Sequence, residues 1–322
     1  MKIAVTGGSG FIGTVLVRLL TEQGHEVAIL DIRDSKIFPE LRRDVDVRDR
    51  AALMQALKNV DAVYHLAAEH RDDVQPVQKY YDVNVGGAEN LVAAAQANGI
   101  ETIIFTSSVA VYGLDAGESR ETDTPAPFND YGRSKLQSED VFNAWAAQSP
   151  RRKLVNARLV ATFGPGNRGN LHTLMDQIAQ GKFVMVGSGN NRKSIAYVGN
   201  VAEFLSHVMT VPEGIYTYNY ADKPDLTMRE LVAQIRQSLG MQGVGLQMPY
   251  VVGLAGGMTF DVAAKITGRN FPISAIRVKK FCANTVVNAD KLRATGFHAP
   301  YSLAHGLREM MAAEFPQAQK AA

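Results

Sequence analysis

Short apolar runs rich in β-branched residues alternate with amphipathic helical patterns along the first half of the chain. The apolar runs read KIAVT, EVAIL, AVYHL, TIIFT and KLVNARL. The helical patterns between them cover 11–23, 49–59, 80–98 and 131–148. Such alternation predicts βαβ units, in which parallel strands form one sheet with helices on both faces. We therefore expect an α/β fold built on a doubly wound parallel sheet.

The regular alternation of strand and helix patterns ends after about Gly164. A Gly- and Asn-rich stretch is followed by short strand patterns, FVMVG and IYTYNY, and by helical patterns near 171–180, 227–239 and 302–313. At 322 residues and 46% hydrophobic content, the chain is long enough for a large and a smaller domain. We expect 1–165 to form the first domain, with 194–218 returning to it, and 166–322 to form a smaller α/β substrate-binding domain.

Charge and cysteine content exclude several classes of protein. A net charge of +2 argues against nucleic acid as a partner. The single cysteine, Cys282, cannot form an internal disulfide, and nothing near it has the spacing of a metal site, so we expect no metal. The start, MKIAVTGGSG, reads as a strand without a leader segment. We expect a cytoplasmic protein.

Glycines follow the first strand at a characteristic spacing. In GGSGFIG, Gly7 and Gly10 permit a tight turn close to a pyrophosphate, and Gly13 allows close packing of helix on strand. A glycine triplet alone also fits a plain structural turn. Because Asp31 ends the next strand about 20 residues on, where a ribose-binding acid is required, we expect a dinucleotide site of the Rossmann type. Phe11 and Ile12 would lie against the phosphates.

The residues after the second strand bear on the choice of cofactor. A carboxylate at Asp31 accepts hydrogen bonds from ribose hydroxyls and repels a 2′-phosphate, so NAD is favoured over NADP. Arg33 is the counter-argument, although an exposed arginine usually faces solvent. We expect Asp31, Ile32 and Arg33 to lie at the adenosine ribose.

Further cofactor contacts are expected after the third and fourth strands. Asp46 and Val47 are placed to meet the adenine, and Leu66, Ala67 and Ala68 offer small or apolar surface to the cofactor. A helix-capping role for Asp46 or Asp49 is the alternative.

Catalytic groups are expected where the later strands end. Tyr131 and Lys135 are four residues apart on a predicted helix and share a face, and Ser108 follows the predicted strand TIIFT that precedes this helix. A free tyrosine has a pKa near ~10, but a nearby ammonium stabilises the phenolate. Tyr131 can then exchange a proton with a substrate hydroxyl, with Ser108 bonded to the same oxygen. The alternative is a surface helix with a solvated lysine.

Together these motifs resemble one family. TGGSGFIG, LAAEHR, NVGGAENL, FTSSVAVYG, YGRSK, FGPG and NADKLRATGF are similar to segments of the extended short-chain dehydrogenase/reductase family, across essentially the whole chain. The resemblance implies catalysis by Ser108, Tyr131 and Lys135 with NAD. It also implies that the cofactor is contacted by Asn84, Thr106, Ser107, Tyr131 and Lys135.

Within this family the segment SSVAVYG distinguishes two reactions. Sugar-nucleotide 4,6-dehydratases have TDEVYG there, so the chain more closely resembles 4-epimerases. AEHRDDV, YYDVNVGG, SIAYVGNVAEF, YNYADKPDL and RVKKFC are similar to bacterial 4-epimerases that convert undecaprenyl-diphosphate-linked N-acetylglucosamine to N-acetylgalactosamine for surface polysaccharide such as O-antigen.

Three alternatives stay open. A soluble UDP-glucose or UDP-N-acetylglucosamine 4-epimerase and a 4-ketosugar reductase would share every catalytic residue. A cofactor-sensing binding protein on the same fold would not need the Tyr131 and Lys135 pair.

The substrate diphosphate has several candidate ligands. The resemblance implies that Lys193 stands where relatives carry a phosphate-binding arginine, with Arg192 one residue earlier. Lysine offers a point charge, whereas arginine binds a phosphate through two hydrogen bonds. The resemblance shows a second difference: Leu159 follows Arg158 where relatives commonly have proline. The further candidates for the substrate site are Asn170, His70, Arg71 and Arg277.

Residues 246–264 carry a single charge, Asp261, and basic residues follow. Those residues are Lys265, Arg269, Arg277, Lys279 and Lys280. An apolar segment beside basic residues fits peripheral contact with an anionic membrane through 246–280. The alternative is a buried helix of the substrate domain. The resemblance also implies a homodimer through the helices at 80–98 and 131–148.

Overall fold

A computed structural model describes residues 1–71, 74–114, 117–268 and 274–316. Arg269 and the side chain of Lys265, both expected near a membrane, lie outside that description. The strands are β1 (Lys2–Thr6), β2 (Glu26–Asp31), β3 (Arg42–Asp44), β4 (Ala62–His65), β5 (Thr102–Ser108), β6 (Glu118–Ser119), β7 (Lys153–Leu159), β8 (Ala161–Phe163), β9 (Val184–Val186), β10 (Arg192–Tyr197), β11 (Gly214–Tyr220), β12 (Asp222–Thr227), β13 (Leu246–Met248) and β14 (Val286–Val287).

The helices lie between these strands and at the end of the described chain. They are α1 (Phe11–Glu22), α2 (Arg50–Ala56), α3 (Gln78–Tyr80), α4 (Gly86–Ala97), α5 (Asp130–Ala146), α6 (Asn170–Ala179), α7 (Val198–His207), α8 (Met228–Ser238), α9 (Tyr250–Thr267), α10 (Ala275–Cys282), α11 (Asp290–Arg293) and α12 (Leu303–Glu314). Short 3₁₀ turns occupy 39–41, 109–112 and 208–210.

The main sheet has seven parallel strands in the order β3-β2-β1-β4-β5-β7-β11. The chain leaves β1 in one direction to form β2 and β3, and then crosses to β4 and proceeds the other way. This order confirms the predicted doubly wound α/β fold. In such sheets the ligand crevice lies at the carboxyl ends of the strands where the order reverses, which here is between β1 and β4.

Alternating side chains of the central strands fill an apolar layer on each face of this sheet. Val5 and Ile104 pack with Leu16 in an apolar cluster on one face. Ile103 and Phe105 belong to a second apolar cluster on the opposite face. Because successive side chains of a strand point to opposite faces, continuous apolar runs such as TIIFT can fill both layers.

The second half of the chain contributes to two places. β11 pairs with β7 at the edge of the main sheet. β10 lies in a separate three-stranded sheet, parallel to β8 and antiparallel to β12. A third apolar cluster under that sheet includes Met175, Leu231 and Leu307. The division into domains stays a prediction; the structure adds that the segment 194–218 contributes to both sheets.

The helix expected over 80–98 is interrupted. A single π-helical turn, Tyr81–Val85, separates α3 from α4. Asn84 within this turn is buried, and its side chain bonds to the backbone of Glu69. Such π-helical turns are frequent at functional sites. Periodicity alone did not reveal this one, because one extra residue in a turn leaves the apolar pattern on either side intact.

Candidate active site

The loop after β1 has a shape that only glycine permits. Gly7 has φ +70°, and a Cβ on it would lie 2.6 Å from the backbone nitrogen of Ala67. A Cβ on Gly13 would lie 2.5 Å from the Gly7 carbonyl oxygen. Both distances are too short for any side chain. The loop therefore lies against the end of β4, and α1 starts directly over it.

The amino end of α1 faces the sheet crevice. Gly10 precedes the helix, donates its N–H to the Gly7 carbonyl at 3.0 Å, and offers no side-chain cap. The first-turn N–H groups, including those of Phe11 and Ile12, can thus be shared with an anion, and the helix dipole favours one. This arrangement fits the pyrophosphate of a dinucleotide.

Asp31 joins the end of β2 to the glycine loop. Its carboxylate accepts from the backbone N–H of Ser9 at 3.0 Å and from that of Arg33 at 2.9 Å. These bonds fix the carboxylate beside the loop, where it can also accept from ribose hydroxyls. The side chains of Ile32 and Arg33 are exposed.

The segment after β3 contains two carboxylates with different roles. Asp49 caps α2 by accepting from the Ala52 N–H at 2.9 Å. Asp46 accepts from the side chain and the backbone N–H of Arg48, and these bonds hold the pKa of Asp46 below its usual value. Val47 is buried against α4. Capping thus explains Asp49, while the adenine role of Asp46 stays a prediction.

Leu66, Ala67 and Ala68 follow β4 at the reversal point of the sheet. Thr6 accepts from the Leu66 N–H on its carbonyl oxygen at 3.0 Å and from the Ala67 N–H on its hydroxyl at 3.3 Å. All three residues are half-buried. Their segment and the glycine loop therefore lie side by side at the carboxyl ends of β1 and β4.

Three other expected cofactor contacts are engaged in internal hydrogen bonds. The Asn84 amide accepts from the Glu69 N–H at 2.8 Å and donates to the Ser134 hydroxyl at 2.9 Å. Thr106 donates to the His65 carbonyl at 3.1 Å, and Ser107 donates to the Glu139 carboxylate. These bonds join α5 to the π-helical turn and to β5, and β5 to β4, while direct contact with the cofactor stays a prediction.

Ser108, Tyr131 and Lys135 are brought together by the approach of α5 to β5. Gly132 makes this approach possible, because a Cβ there would lie 2.5 Å from the carbonyl oxygen of Ala110, in the turn after Ser108. Ser108 and Tyr131 are half-buried, whereas Lys135 is 2% exposed. The Ser108 hydroxyl accepts from the Ala110 N–H at 3.2 Å.

The Lys135 ammonium lies in an apolar and aromatic environment. Its Nζ is 4.1 Å from the centroid of the Phe105 ring. Burial lowers the pKa of Lys135 to about 7, and the negative charge of Glu139 opposes that fall. Burial, aided by the Lys135 charge, lowers the pKa of His65 to about 3, so His65 is neutral. Lys135 is thus poised to be either charged or neutral near physiological pH.

The sequence reasoning missed Glu139 and Arg158, which form a buried ion pair behind Lys135. Two parallel hydrogen bonds of 2.9 and 2.7 Å join the guanidinium to the carboxylate. Glu139 is four residues after Lys135, so the same spacing rule that pairs Tyr131 with Lys135 extends to it.

The candidates for the substrate diphosphate are scattered. Lys193 donates to the carbonyl oxygens of Lys280 and Ala283 at 2.8 and 2.6 Å, which binds the carboxyl end of α10 to β10. The guanidinium of Arg192 donates to the Asp225 carbonyl at 3.3 Å, and that of Arg71 pairs with Glu69 at 3.2 Å. The remaining candidates are exposed: His70, Asn170 and Arg277.

A cleft of about 480 Å³ opens between β9, α9 and α10. Its walls carry polar groups from Ser188 and Asn191 and the ammonium-bearing side chain of Lys279, and also the aromatic ring of Tyr250. Leu114, six residues beyond Ser108, lines it too. Lys279 was not among the substrate candidates, because no local pattern links it to this cleft.

Within residues 1–71, 74–114, 117–268 and 274–316, no group of three His, Cys, Asp or Glu side chains is arranged to hold a metal ion. None of the helices in those ranges combines the length and apolar character needed to cross a bilayer.

Residues 3–221 match the model of the NAD dependent epimerase/dehydratase family. The chain belongs to that family. Membership confirms the predicted family, its enzymatic nature and its NAD cofactor. The match spans the glycine loop, Asp31 and the Ser108, Tyr131 and Lys135 cluster, which are the parts of this epimerase/dehydratase fold described above.

Individual relatives refine the comparison. An N-acetyl-alpha-D-glucosaminyl-diphospho-ditrans,octacis-undecaprenol 4-epimerase of Escherichia coli is 47% identical over 321 residues, covering 99% of this chain and 97% of that protein. Two solved structures share the fold with TM-scores of 0.77. One is a UDP-glucose 4-epimerase of Thermus thermophilus in complex with NAD, at 23% identity over 97% of this chain and 98% of that one. The other is a UDP-N-acetylglucosamine 4-epimerase of Bacillus cereus, at 21% identity over 98% and 96%.

Proposed function

We propose that the protein is a sugar 4-epimerase that interconverts N-acetylglucosamine and N-acetylgalactosamine linked through diphosphate to undecaprenol, for bacterial surface polysaccharide such as O-antigen. The observation that carries this proposal is the 47% identity, over nearly the full length of both chains, to a relative with that substrate in its name. UDP-sugar relatives match more weakly, at 28% identity for the UDP-glucose 4-epimerase of Vibrio cholerae over 83% of this chain. The soluble epimerase, the ketosugar reductase and the cofactor sensor are therefore less favoured.

The residues present fit NAD. The cradle of Gly7 and Gly13 leaves room for a pyrophosphate where any Cβ would collide, and the amino end of α1 faces it. Asp31 is held beside that cradle for the ribose. When bound, NAD supplies the redox chemistry by taking a hydride from C4 of the sugar and later returning it to the opposite face.

Tyr131 is the proposed acid and base. Its phenolate takes the proton of the sugar 4-hydroxyl as the C4–H bond breaks, which leaves a 4-keto sugar, and it returns that proton after the sugar has turned over. Lys135, one helical turn away, stabilises the phenolate with its ammonium group. Ser108 donates to the same substrate oxygen and holds it near Tyr131.

Turning the sugar requires that its anchor stay in place while the ring rotates. The cleft between β9, α9 and α10 supports such an anchor, because Lys279 offers a cation and Ser188 offers a hydroxyl donor for a diphosphate. Lys193 holds the α10 wall of this cleft by bonding to the backbone of Lys280 and Ala283.

We also propose that an anionic membrane surface is the partner of the 246–280 segment. α9 has an inverted pattern: among the residues of this helix whose side chains are described, the buried positions are Gly253 and Gly257, while Val251, Val252 and Met258 are exposed. A Cβ on Gly253 would lie 2.4 Å from Val186, and one on Gly257 would lie 2.7 Å from the Ala275 backbone. The glycine face therefore packs inward, which turns the large apolar side chains outward.

Basic groups beside this apolar face support an anionic lipid layer as its partner. Lys279 and Arg277 lie on α10, which packs against α9 through the bond from the Ala275 N–H to Asp261 at 3.1 Å. Exposed apolar residues next to lysines and arginines favour binding at a negatively charged lipid interface. A membrane-embedded lipid diphosphate would reach the cleft directly from that side. The cytoplasmic face of a membrane is the location that fits.

The test of function is incubation of the purified protein, without added reductant, with undecaprenyl-diphosphate N-acetylglucosamine and separately with UDP-N-acetylglucosamine. We expect 4-epimer from the lipid-linked sugar and little from the UDP-sugar, resolved by chromatography. Equal or better conversion of the UDP-sugar would overturn the substrate proposal while leaving the epimerase chemistry intact. Product formed only when NADH or NADPH is supplied would indicate a reductase.

The membrane proposal is tested by sedimentation with vesicles. We expect the protein to bind vesicles of phosphatidylglycerol and phosphatidylcholine and to bind pure phosphatidylcholine vesicles more weakly. Absence of binding to both kinds of vesicle, with a concentration-dependent dimer that is lost on changing Val251, would assign the apolar face of α9 to a second copy of the chain instead.

A separate proposal is the dimer through α4 and α5. Light scattering of the wild-type protein checks whether a dimer forms.

A further inference from the structure

The Tyr131 and Lys135 pair continues along α5 into a third ionisable residue. Tyr131, Lys135 and Glu139 follow one another at intervals of four residues and share one face of the helix. Lys135 and Glu139 are each 2% exposed. Burying charge is costly unless partners compensate it, so a buried carboxylate here requires an explanation.

Arg158 of β7 compensates that carboxylate from the opposite side. Its guanidinium forms two parallel bonds with Glu139 and a third bond, of 2.7 Å, with the hydroxyl of Tyr112. Tyr112 in turn donates to the Asn219 side chain at 2.8 Å. The network therefore joins α5 to β7, to β11 and to the turn that follows Ser108.

Glu139 also fixes the strand that carries Ser108. The hydroxyl of Ser107 donates to the Glu139 carboxylate that receives the Arg158 bonds. Since Ser107 and Ser108 are adjacent, any movement of Glu139 is transmitted to the serine that would contact the substrate. One carboxylate thus acts on two of the predicted catalytic residues, on Lys135 through its charge and on Ser108 through Ser107.

We infer that Glu139, held by Arg158, is a positioning residue for the epimerase reaction, keeping Lys135 in its ammonium form and Ser108 in register with Tyr131. The inference rests on the proposed function in that Tyr131 is taken as the acid and base. The charged and titratable groups around Lys135 are Tyr131 and Glu139 on its own helix, His65 from β4, and Arg158 from β7 beyond Glu139. His65 is neutral, so Glu139 is the anion that favours the ammonium.

The test is the ultraviolet titration of Tyr131 in the NAD-bound protein, which needs no sugar. Tyrosinate absorption at ~295 nm is recorded against pH, and the same protein carrying Tyr131→Phe is subtracted to isolate this tyrosine. In Glu139→Gln we expect the Tyr131 midpoint to rise by about one pH unit, because a Lys135 that loses its proton earlier no longer stabilises the phenolate.

Two further variants keep the test decisive. Glu139→Gln combined with Arg158→Gln removes both charges and leaves no uncompensated ion, and we expect its midpoint to rise too. Asp222→Asn is the matched control, since Asp222 is also a buried carboxylate but bonds to Tyr197, Asn200 and Tyr220. It should lower thermal stability without moving the Tyr131 midpoint.

Turnover gives a second readout. We expect Glu139→Gln to lower kcat by about tenfold, as one pH unit of phenolate population implies, with KM nearly unchanged. Unchanged midpoints in both Glu139 variants would overturn the inference and reduce the ion pair to a structural role. A shifted midpoint in a protein that turns over no sugar would uphold the inference and overturn the proposed function instead.

Discussion

α5 and α9 depart from the usual division of apolar and charged residues in opposite directions. α5 places Lys135 and Glu139 in the protein interior, each 2% exposed, whereas α9 leaves Val251 74% and Val252 56% exposed to solvent. Burying charged side chains and exposing apolar ones each costs free energy, which a helix with apolar residues inside and charged residues outside avoids. The buried carboxylate of α5 is compensated within the chain by Arg158, whereas the partner that we propose for the exposed apolar face of α9 lies outside the chain.

The first prediction tests the catalytic role proposed for α5. Tyr131→Phe should reduce epimer formation by ~10²- to 10⁴-fold, because it removes the group that exchanges the substrate proton. Thermal stability should stay close to that of wild type, since the ring remains. Tyr216→Phe is the control: it removes a hydroxyl that donates to the exposed Glu213 backbone and should leave turnover unchanged. Full activity in Tyr131→Phe would exclude the mechanism.

The second prediction concerns the free energy cost of the buried ammonium. The pKa of Lys135 falls from an unfolded value near ~10.4 to about 7 in the folded protein. Between these values the unfolded chain holds one more proton, so stability rises with pH across this window. Lys135→Met removes the effect. Its free energy of unfolding should exceed that of wild type by a few kcal/mol (~1–4) near pH 7, and the difference should shrink toward pH 10.

Denaturant unfolding of both proteins at several pH values measures that difference. A gap between Lys135→Met and wild type that stays constant from pH 7 to pH 10 would show that the ammonium is not destabilised by burial.

The third prediction tests the inward face of α9. Gly257→Ala should lower the free energy of unfolding by ~1–3 kcal/mol, because its Cβ would lie 2.7 Å from the Ala275 backbone. The adjacent Gly256→Ala, whose Cβ meets nothing within 4 Å, should instead be neutral or stabilise by up to ~1 kcal/mol. Equal effects of the two substitutions in denaturant unfolding would mean that α9 is oriented differently.

The fourth prediction tests the outward face and has the smallest expected effect. Val251→Glu should weaken binding to anionic vesicles by about tenfold, since it replaces apolar contact with a charge repelled by the lipid. Its unfolding free energy should change little because the side chain is exposed. Ile215→Glu, which changes an exposed apolar residue on β11, should leave vesicle binding unaltered. Equal losses in both variants would point to a general effect of charge.

The sequence by itself determined the features that depend on neighbours along the chain. The strands of the first half, the glycine loop and the one-turn spacing of Tyr131 and Lys135 are encoded within a dozen or so residues, and local sterics fix them. The ambiguous feature was α9. Its apolar composition fitted both a buried and an exposed helix, and the decisive signal was the spacing of Gly253 and Gly257, which shows which side packs inward.

Only the tertiary structure decided which distant side chains meet. Arg158 on β7 reaches Glu139 on α5, and Lys193 binds the backbone of Lys280 and Ala283, which are 87 and 90 residues away. No local pattern specifies such pairs, because the position of a long charged side chain depends on how separate elements pack. The same reason applies to two lysines. Lys193 was expected to bind an anion and instead donates to backbone carbonyls, and Lys279 was not expected in the cleft that it lines. An ammonium on a flexible side chain binds whichever acceptors the fold brings within its reach.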